Sequence, residues 1–194
     1  GTLLQFLAAS AREPGAEVIQ QAVQTACSLL PHYSGATGTQ VDLILAALRC
    51  PHVEVARAAA RVAGTCSDTR LDVHLLNACL RGDEALSQAA GSCLKRRIKT
   101  QHLVWLTKIL SDGDDRMARG AEAALVAIGN RAVGALIKAV NWQYIRARLA
   151  AIRALGKIGN KRAVAVLRSA CRDEDYRVRE LAAKALCTMQ VPQM

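Results

Sequence analysis

The chain has 194 residues, 52% hydrophobic, 3% aromatic and 22% charged, with a formal charge of +10. That length suits one domain burying roughly two-thirds of its unfolded surface, and abundant Ala, Leu and Val exclude a disordered chain. No apolar run approaches the ~18 residues of a membrane span, and the first ten residues carry no basic patch before their apolar stretch, so neither a spanning protein nor a secretory signal is expected.

From the N-terminus, apolar helical stretches alternate with short polar breaks. Leu3 to Ala11 leads through Glu13-Pro14-Gly15 into Ala16 to Leu30. Residues 31–39 then read as the longest loop and a hinge. Val41 to Leu48 leads through Cys50-Pro51-His52 into Val53 to Ala63, and Leu71 to Leu80 through Arg81-Gly82-Asp83 into Glu84 to Leu94. Gln101 to Leu110 is followed by Ser111-Asp112-Gly113-Asp114 and by Arg116 to Ile128. Trp105 lies in the run Leu103-Val104-Trp105-Leu106 and is expected in the core. Next come Ala132 to Val140, the break Asn141-Trp142-Gln143 and Tyr144 to Ile158. Ala163 to Arg172, Asp173-Glu174-Asp175 and Tyr176 to Met189 close the chain. The acidic breaks suit helix starts, and Gly or Asn suits helix ends in the left-handed conformation.

This is a repeat. Ile128-Gly129-Asn130-Arg131-Ala132-Val133 returns as Ile158-Gly159-Asn160-Lys161-Arg162-Ala163-Val164, with the Gly-Asn pairs 30 residues apart. In the second helices Val55, Leu86, Met117, Ala147 and Val178 share one column, and Ala63, Leu94, Leu125, Leu155 and Leu186 another. Ala59, Ala90, Ala121, Ala151 and Ala182 fill a third, where a small residue lets neighbouring helices approach. Two short helices cannot bury their apolar faces alone, so such units stack. The expectation is all-α: a right-handed α-solenoid of six hairpins, with units at about 1–38, 39–68, 69–100, 101–130, 131–160 and 161–194 in one domain. The first residue is Gly, and the last unit lacks a polar outer helix, which suggests a fragment of a longer chain or an end that a partner covers.

Asp175-Tyr176-Arg177-Val178-Arg179-Glu180-Leu181-Ala182-Ala183-Lys184-Ala185-Leu186, with Ala154-Leu155-Gly156-Lys157-Ile158-Gly159, resembles the short HEAT repeats named after the phycobilisome lyases. The resemblance is closest over 128–189, weaker over 101–127 and faint before 100. It implies a solenoid whose second helices line a concave face. It also implies that Arg148 and Arg179 bond carbonyls or acids of the preceding unit. Function stays open, because such repeats occur in scaffolds, regulators, nucleic-acid enzymes and bilin lyases. The aromatic pair Trp142 and Tyr144 departs from the acidic break of the pattern.

Charge is uneven. Residues 1–94 hold 6 Lys or Arg against 8 Asp or Glu, net −2, whereas residues 95–194 hold 20 against 8, net +12. Arg116, Arg146 and Arg177 share one polar column of the second helices, and Arg153 and Lys184 share another, flanked by Arg119 and Lys157. Such a stripe suits an acidic protein or peptide partner, with Trp142 and Tyr144 as edge anchors, since Trp, Tyr and Arg dominate binding hot spots. Binding to nucleic-acid phosphates is the alternative. Arg and Lys solvating helix faces is the plainer account. Lys95-Arg96-Arg97-Ile98-Lys99 suits a helix C-terminus better than a nuclear-localisation signal.

Catalytic chemistry finds little support, and a non-catalytic scaffold with no cofactor and no metal is expected. The four histidines are dispersed, and no phosphate-binding Gly-rich loop or metal motif is present. A glycosylase-like or lyase-like enzyme is a further alternative, with Asp114 or Asp115 beside Arg116, Arg146 and Trp142. Seven cysteines, none closer than 13 residues to the next, read as buried small hydrophobes, Cys187 among them. Reduced thiols then imply a cytoplasmic or nuclear setting.

Overall fold

A computed structural model describes residues 37–50, 53–64, 66–81, 83–95 and 97–190. The hairpin expected from Leu3 to Leu30 lies outside them, as does most of the expected hinge. Its last three residues, Thr37 to Thr39, belong to a helix. Among the described residues there are ten α-helices, paired in chain order. They are α1 (Thr37–Arg49), α2 (Val53–Ala63), α3 (Arg70–Cys79), α4 (Glu84–Leu94), α5 (Thr100–Asp112), α6 (Asp115–Ile128), α7 (Val133–Val140), α8 (Ile145–Ile158), α9 (Val164–Ala170) and α10 (Tyr176–Gln190).

Each odd-numbered helix packs on the even one that follows it. The even helices also stack on one another in order, α2 on α4, α4 on α6, α6 on α8 and α8 on α10. This is an α-solenoid of two helical layers. The three sequence columns form its spine: the Ala column is essentially inaccessible, as are Leu86, Ala147, Val178, Leu94, Leu125 and Leu155. Burying each of those leucines contributes roughly 1.5–3 kcal/mol.

Helix ends follow from local chemistry. Asp83 and Asp114 cap α4 and α6, each carboxylate accepting at 2.7 Å from the backbone N–H three residues on, of Leu86 and Met117. Gly129 and Gly159 end α6 and α8 with φ of 70° and 69°, which a side-chain-bearing residue adopts only at a cost. A 3-10 turn follows each, Gly129–Arg131 and Lys161–Ala163, so α7 and α9 start one residue later than the repeat pattern suggests.

Two expected core residues face outward. Trp105 is 38% exposed, because α5 turns Leu103, Leu106, Thr107 and Leu110 inward and leaves Val104 and Trp105 on the far side. Cys187 is exposed on α10. Cys79 is buried, Cys50, Cys66, Cys93 and Cys171 are half-buried, and all six are free thiols.

Candidate functional site: the cationic face of the second helices

Arginines and lysines join the repeats to one another. In α6, Arg116 donates from Nε to the carbonyl of Arg81 at 2.5 Å, across to the break of the preceding unit. One repeat later, Arg146 in α8 pairs with Asp115 at 2.6 Å. Arg153 and Lys157, one helical turn apart on α8, both reach Glu122 of α6, at 2.9 and 3.3 Å. Glu122 is only 7% exposed, so its charge is tied to these two cations. In α10 the pairing is local. Arg177 bonds Asp175 at 3.0 Å and Lys184 bonds Glu180 at 2.6 Å. Those contacts hold the Asp175 and Glu180 carboxyls below their ordinary range, the hydrogen bonds from Arg177 and Lys184 being the main cause.

The second helices therefore carry all seven sequence-selected cations, Arg116, Arg119, Arg146, Arg153, Lys157, Arg177 and Lys184. Five of them are ion-paired within the protein, with four carboxylates among them. Arg119 is exposed and makes no ion pair among the described residues. Residues 123–172 contain no Asp or Glu, and that stretch begins just after Glu122, the carboxylate that neutralises part of the face.

Three further arginines, Arg148, Arg97 and Arg131, join one unit to the next. Arg148, 8% exposed, pairs with Asp173 at 3.2 Å and Glu174 at 3.1 Å and donates to the Trp142 carbonyl. Both acidic partners lie in the following unit and the carbonyl in its own, whereas the family resemblance implies the preceding unit. Arg179 donates to the carbonyls of Asp173 and Glu174 in its own unit's break. Arg97 reaches the carbonyls of Ala63, Cys66 and Asp68 and pairs with Asp72 at 2.5 Å. Arg131 bonds the carbonyls of Lys95 and Ile98, both at 3.0 Å. Arg97 thus meets the end of α2, in the unit before its own. Asn160 joins the pattern through Asn130 at 2.9 Å.

The aromatic pair divides. Trp142 is half-buried against the core, while Tyr144 is 52% exposed at the start of α8. Tyr176, 65% exposed, opens α10 next to Arg177, as Tyr144 precedes α8 two residues before Arg146. The one-residue offset from the repeat register hides Tyr176 in the sequence pattern.

Asp114 is occupied as a helix cap and Asp115 by Arg146. Among the described residues no three His, Cys, Asp or Glu side chains gather as a metal site, and no helix is long and apolar enough to cross a membrane.

Residues 133–193 match the family model "HEAT repeats". Over that stretch the chain carries HEAT repeats. That stretch contains α7 to α10 and with them Arg146, Arg153, Lys157, Arg177 and Lys184. No curated protein matches the chain. Among solved structures it is similar to an engineered protein at 19% identity, covering 92% of both chains with a TM-score of 0.41. It is also similar to a designed armadillo repeat protein in complex with the peptide (KR)4, at 15% identity, 98% and 100% coverage and TM-score 0.40. A third similarity is to computationally designed armadillo repeat proteins for modular peptide recognition, at 14% identity, 96% and 98% coverage and TM-score 0.38.

Proposed function

We propose that this HEAT-repeat chain is a non-catalytic scaffold whose second-helix face, from α6 to α10, binds an acidic segment of another protein. The observation that carries this reading is the excess on that face: seven cations stand against four partnering carboxylates. Exposed ion pairs contribute only about 0–1 kcal/mol each. The Arg146–Asp115, Arg177–Asp175 and Lys184–Glu180 pairs are of that kind, so an incoming carboxylate can take over these cations at little cost. Arg153 and Lys157 are held more firmly by buried Glu122, and they supply field rather than direct contacts. Tyr144 and Tyr176 offer rigid, half-apolar contact area at the edge. Trp142 supports that edge from beneath. Free thiols fit a cytoplasmic or nuclear setting.

The test is binding of a fluorescein-labelled Glu-rich peptide beside labelled single- and double-stranded DNA, at ~50 and ~200 mM salt. The proposal expects the peptide to bind and the DNA to bind weakly or not at all. Tight, salt-sensitive DNA binding with no peptide binding would replace the protein partner with nucleic-acid phosphates.

A further inference from the structure

We propose that the groove between α2 and α4 is a second, separate subsite for carboxylate side chains of an acidic polypeptide, lined except for Lys95 by the half of the chain whose net charge of −2 gives no hint of one. The choice of an acidic polypeptide rests on the function proposed above; the subsite itself rests on its own geometry. The cavity has a volume of about 620 Å³, within the roughly 300–1,000 Å³ of small-ligand sites and large enough for more than one side chain.

Its shape follows from small residues. Ala85 and Ala89 of α4 form an apolar floor on which the methylenes of a Glu can rest. Gly64, just past α2, leaves room for Cys93, since a Cβ there would stand 3.0 Å from the sulfur. At the next junction the same layer is shut, because a Cβ on Gly91 would meet the Ala124 carbonyl at 2.7 Å.

The rim is cationic. Arg57, Arg61 and Lys95 line the groove, and Ser92 adds a hydroxyl. Arg57 is paired with Glu54. Arg61 and Lys95 are exposed and reach no carboxylate among the described residues. A guanidinium and an ammonium without counter-charge, above an apolar floor, suit a carboxylate on a short aliphatic stem. Among the described residues no aromatic side chain lines the groove, so they offer a nucleobase nothing to stack on.

The walls are fixed. The Cys93 thiol donates to the Ala60 carbonyl at 2.7 Å, and Arg97 clamps the end of α2 through the Ala63 and Cys66 carbonyls. Arg131 holds the Lys95 carbonyl in turn. Burial raises the Cys93 thiol above its ordinary range, which keeps it a proton donor in this bond at neutral pH. Fixed walls lower the ordering cost of binding, which then falls mainly on the exposed Arg61 and Lys95 side chains and on the peptide.

The experiment is titration of the full chain with fluorescein-labelled hexaglutamate, read as stoichiometry and affinity. It uses wild type, Arg61→Glu/Lys95→Glu and Arg146→Glu/Arg177→Glu, with circular dichroism as the check on folding. Two sites in wild type and one in each double variant is the expected result. One wild-type site, kept by Arg61→Glu/Lys95→Glu and lost in Arg146→Glu/Arg177→Glu, overturns the subsite and leaves the main reading standing. The reverse loss overturns the main reading alone, and no binding overturns both. A phosphoserine peptide or inorganic phosphate that displaces hexaglutamate from the groove at lower concentration overturns the carboxylate assignment. Should the charge reversals unfold the chain, the milder Arg61→Gln/Lys95→Gln variant decides, and two sites retained in it overturn the proposal.

Discussion

An arginine at a repeat junction faces two kinds of partner, the carbonyls that end a neighbouring helix and the carboxylates of an adjacent break, and its five-donor fork can hold both. Arg97 holds the Ala63 and Cys66 carbonyls together with Asp72, Arg148 holds the Trp142 carbonyl together with Asp173, and Arg131 spans the carbonyls of Lys95 and Ile98. Replacing Arg148 with Met leaves Asp173 partly buried without its counter-charge, so Arg148→Met is expected to destabilise by about 3 kcal/mol in urea unfolding. Arg168→Met, at an exposed position without an ion pair among the described residues, should stay within about 0.5 kcal/mol. Equal effects would deny Arg148 its welding role. Thiol chemistry separates two cysteines in the same spirit. Burial pushes the Cys79 thiol up to about 12, whereas Cys187 stands exposed on α10. Iodoacetamide at pH 8 should alkylate Cys187 quickly and Cys79 only after unfolding, as peptide mass mapping would record.

At the scale of the helix, the 30-residue period and the Ala column made the pairs legible before any coordinates. Small residues in register leave few ways for two short helices to meet. Helix α5 shows where that legibility stops. Leu103-Val104-Trp105-Leu106 is apolar throughout, so composition alone cannot say which two residues turn inward, and only the packing of α5 on α6 and α7 decides. The cationic columns were likewise visible, but their partners were not. Glu122 lies 31 and 35 residues from the two cations that hold it, a relation that exists only once α6 and α8 are stacked in register. Close stacking also sets a limit on side-chain size. A Cβ on Gly120 would stand 2.1 Å from the Cys79 carbonyl, a backbone atom that cannot swing aside. Gly120→Ala should therefore destabilise by at least about 1–3 kcal/mol, read by thermal unfolding. Gly134→Ala, with open space around it, is the control and should be neutral or slightly stabilising in the first turn of α7.

Across the whole molecule, the charge network makes stability depend on pH in a direction that can be worked out. The Asp68, Asp175 and Glu180 carboxyls sit below their ordinary values, each chiefly through a hydrogen bond from Arg70, Arg177 or Lys184. In the unfolded chain they take up protons first, so their contribution is present above about pH 4 and is lost as pH falls through the folded values. His74 is also lowered, by burial first and then by Arg49, whose guanidinium lies 3.1 Å from its ring. Its contribution is complete above about pH 6.5 and begins to fall below it. Urea midpoints measured from pH 8 to pH 3 should thus decline in two stages, and a His74→Gln variant should lose the first. A midpoint that rises on acidification would contradict this assignment.

The same network leaves the second-helix face with more cations than it can neutralise, and the proposed function depends on that surplus. The most direct measurement is a charge swap, with a Glu-rich and a Lys-rich peptide titrated into wild type and into Arg146→Glu/Arg177→Glu. The wild-type chain should prefer the Glu-rich peptide, the variant should bind it about tenfold more weakly, and the Lys-rich peptide should gain where the other loses. Equal binding of the Glu-rich peptide by both proteins would contradict the account.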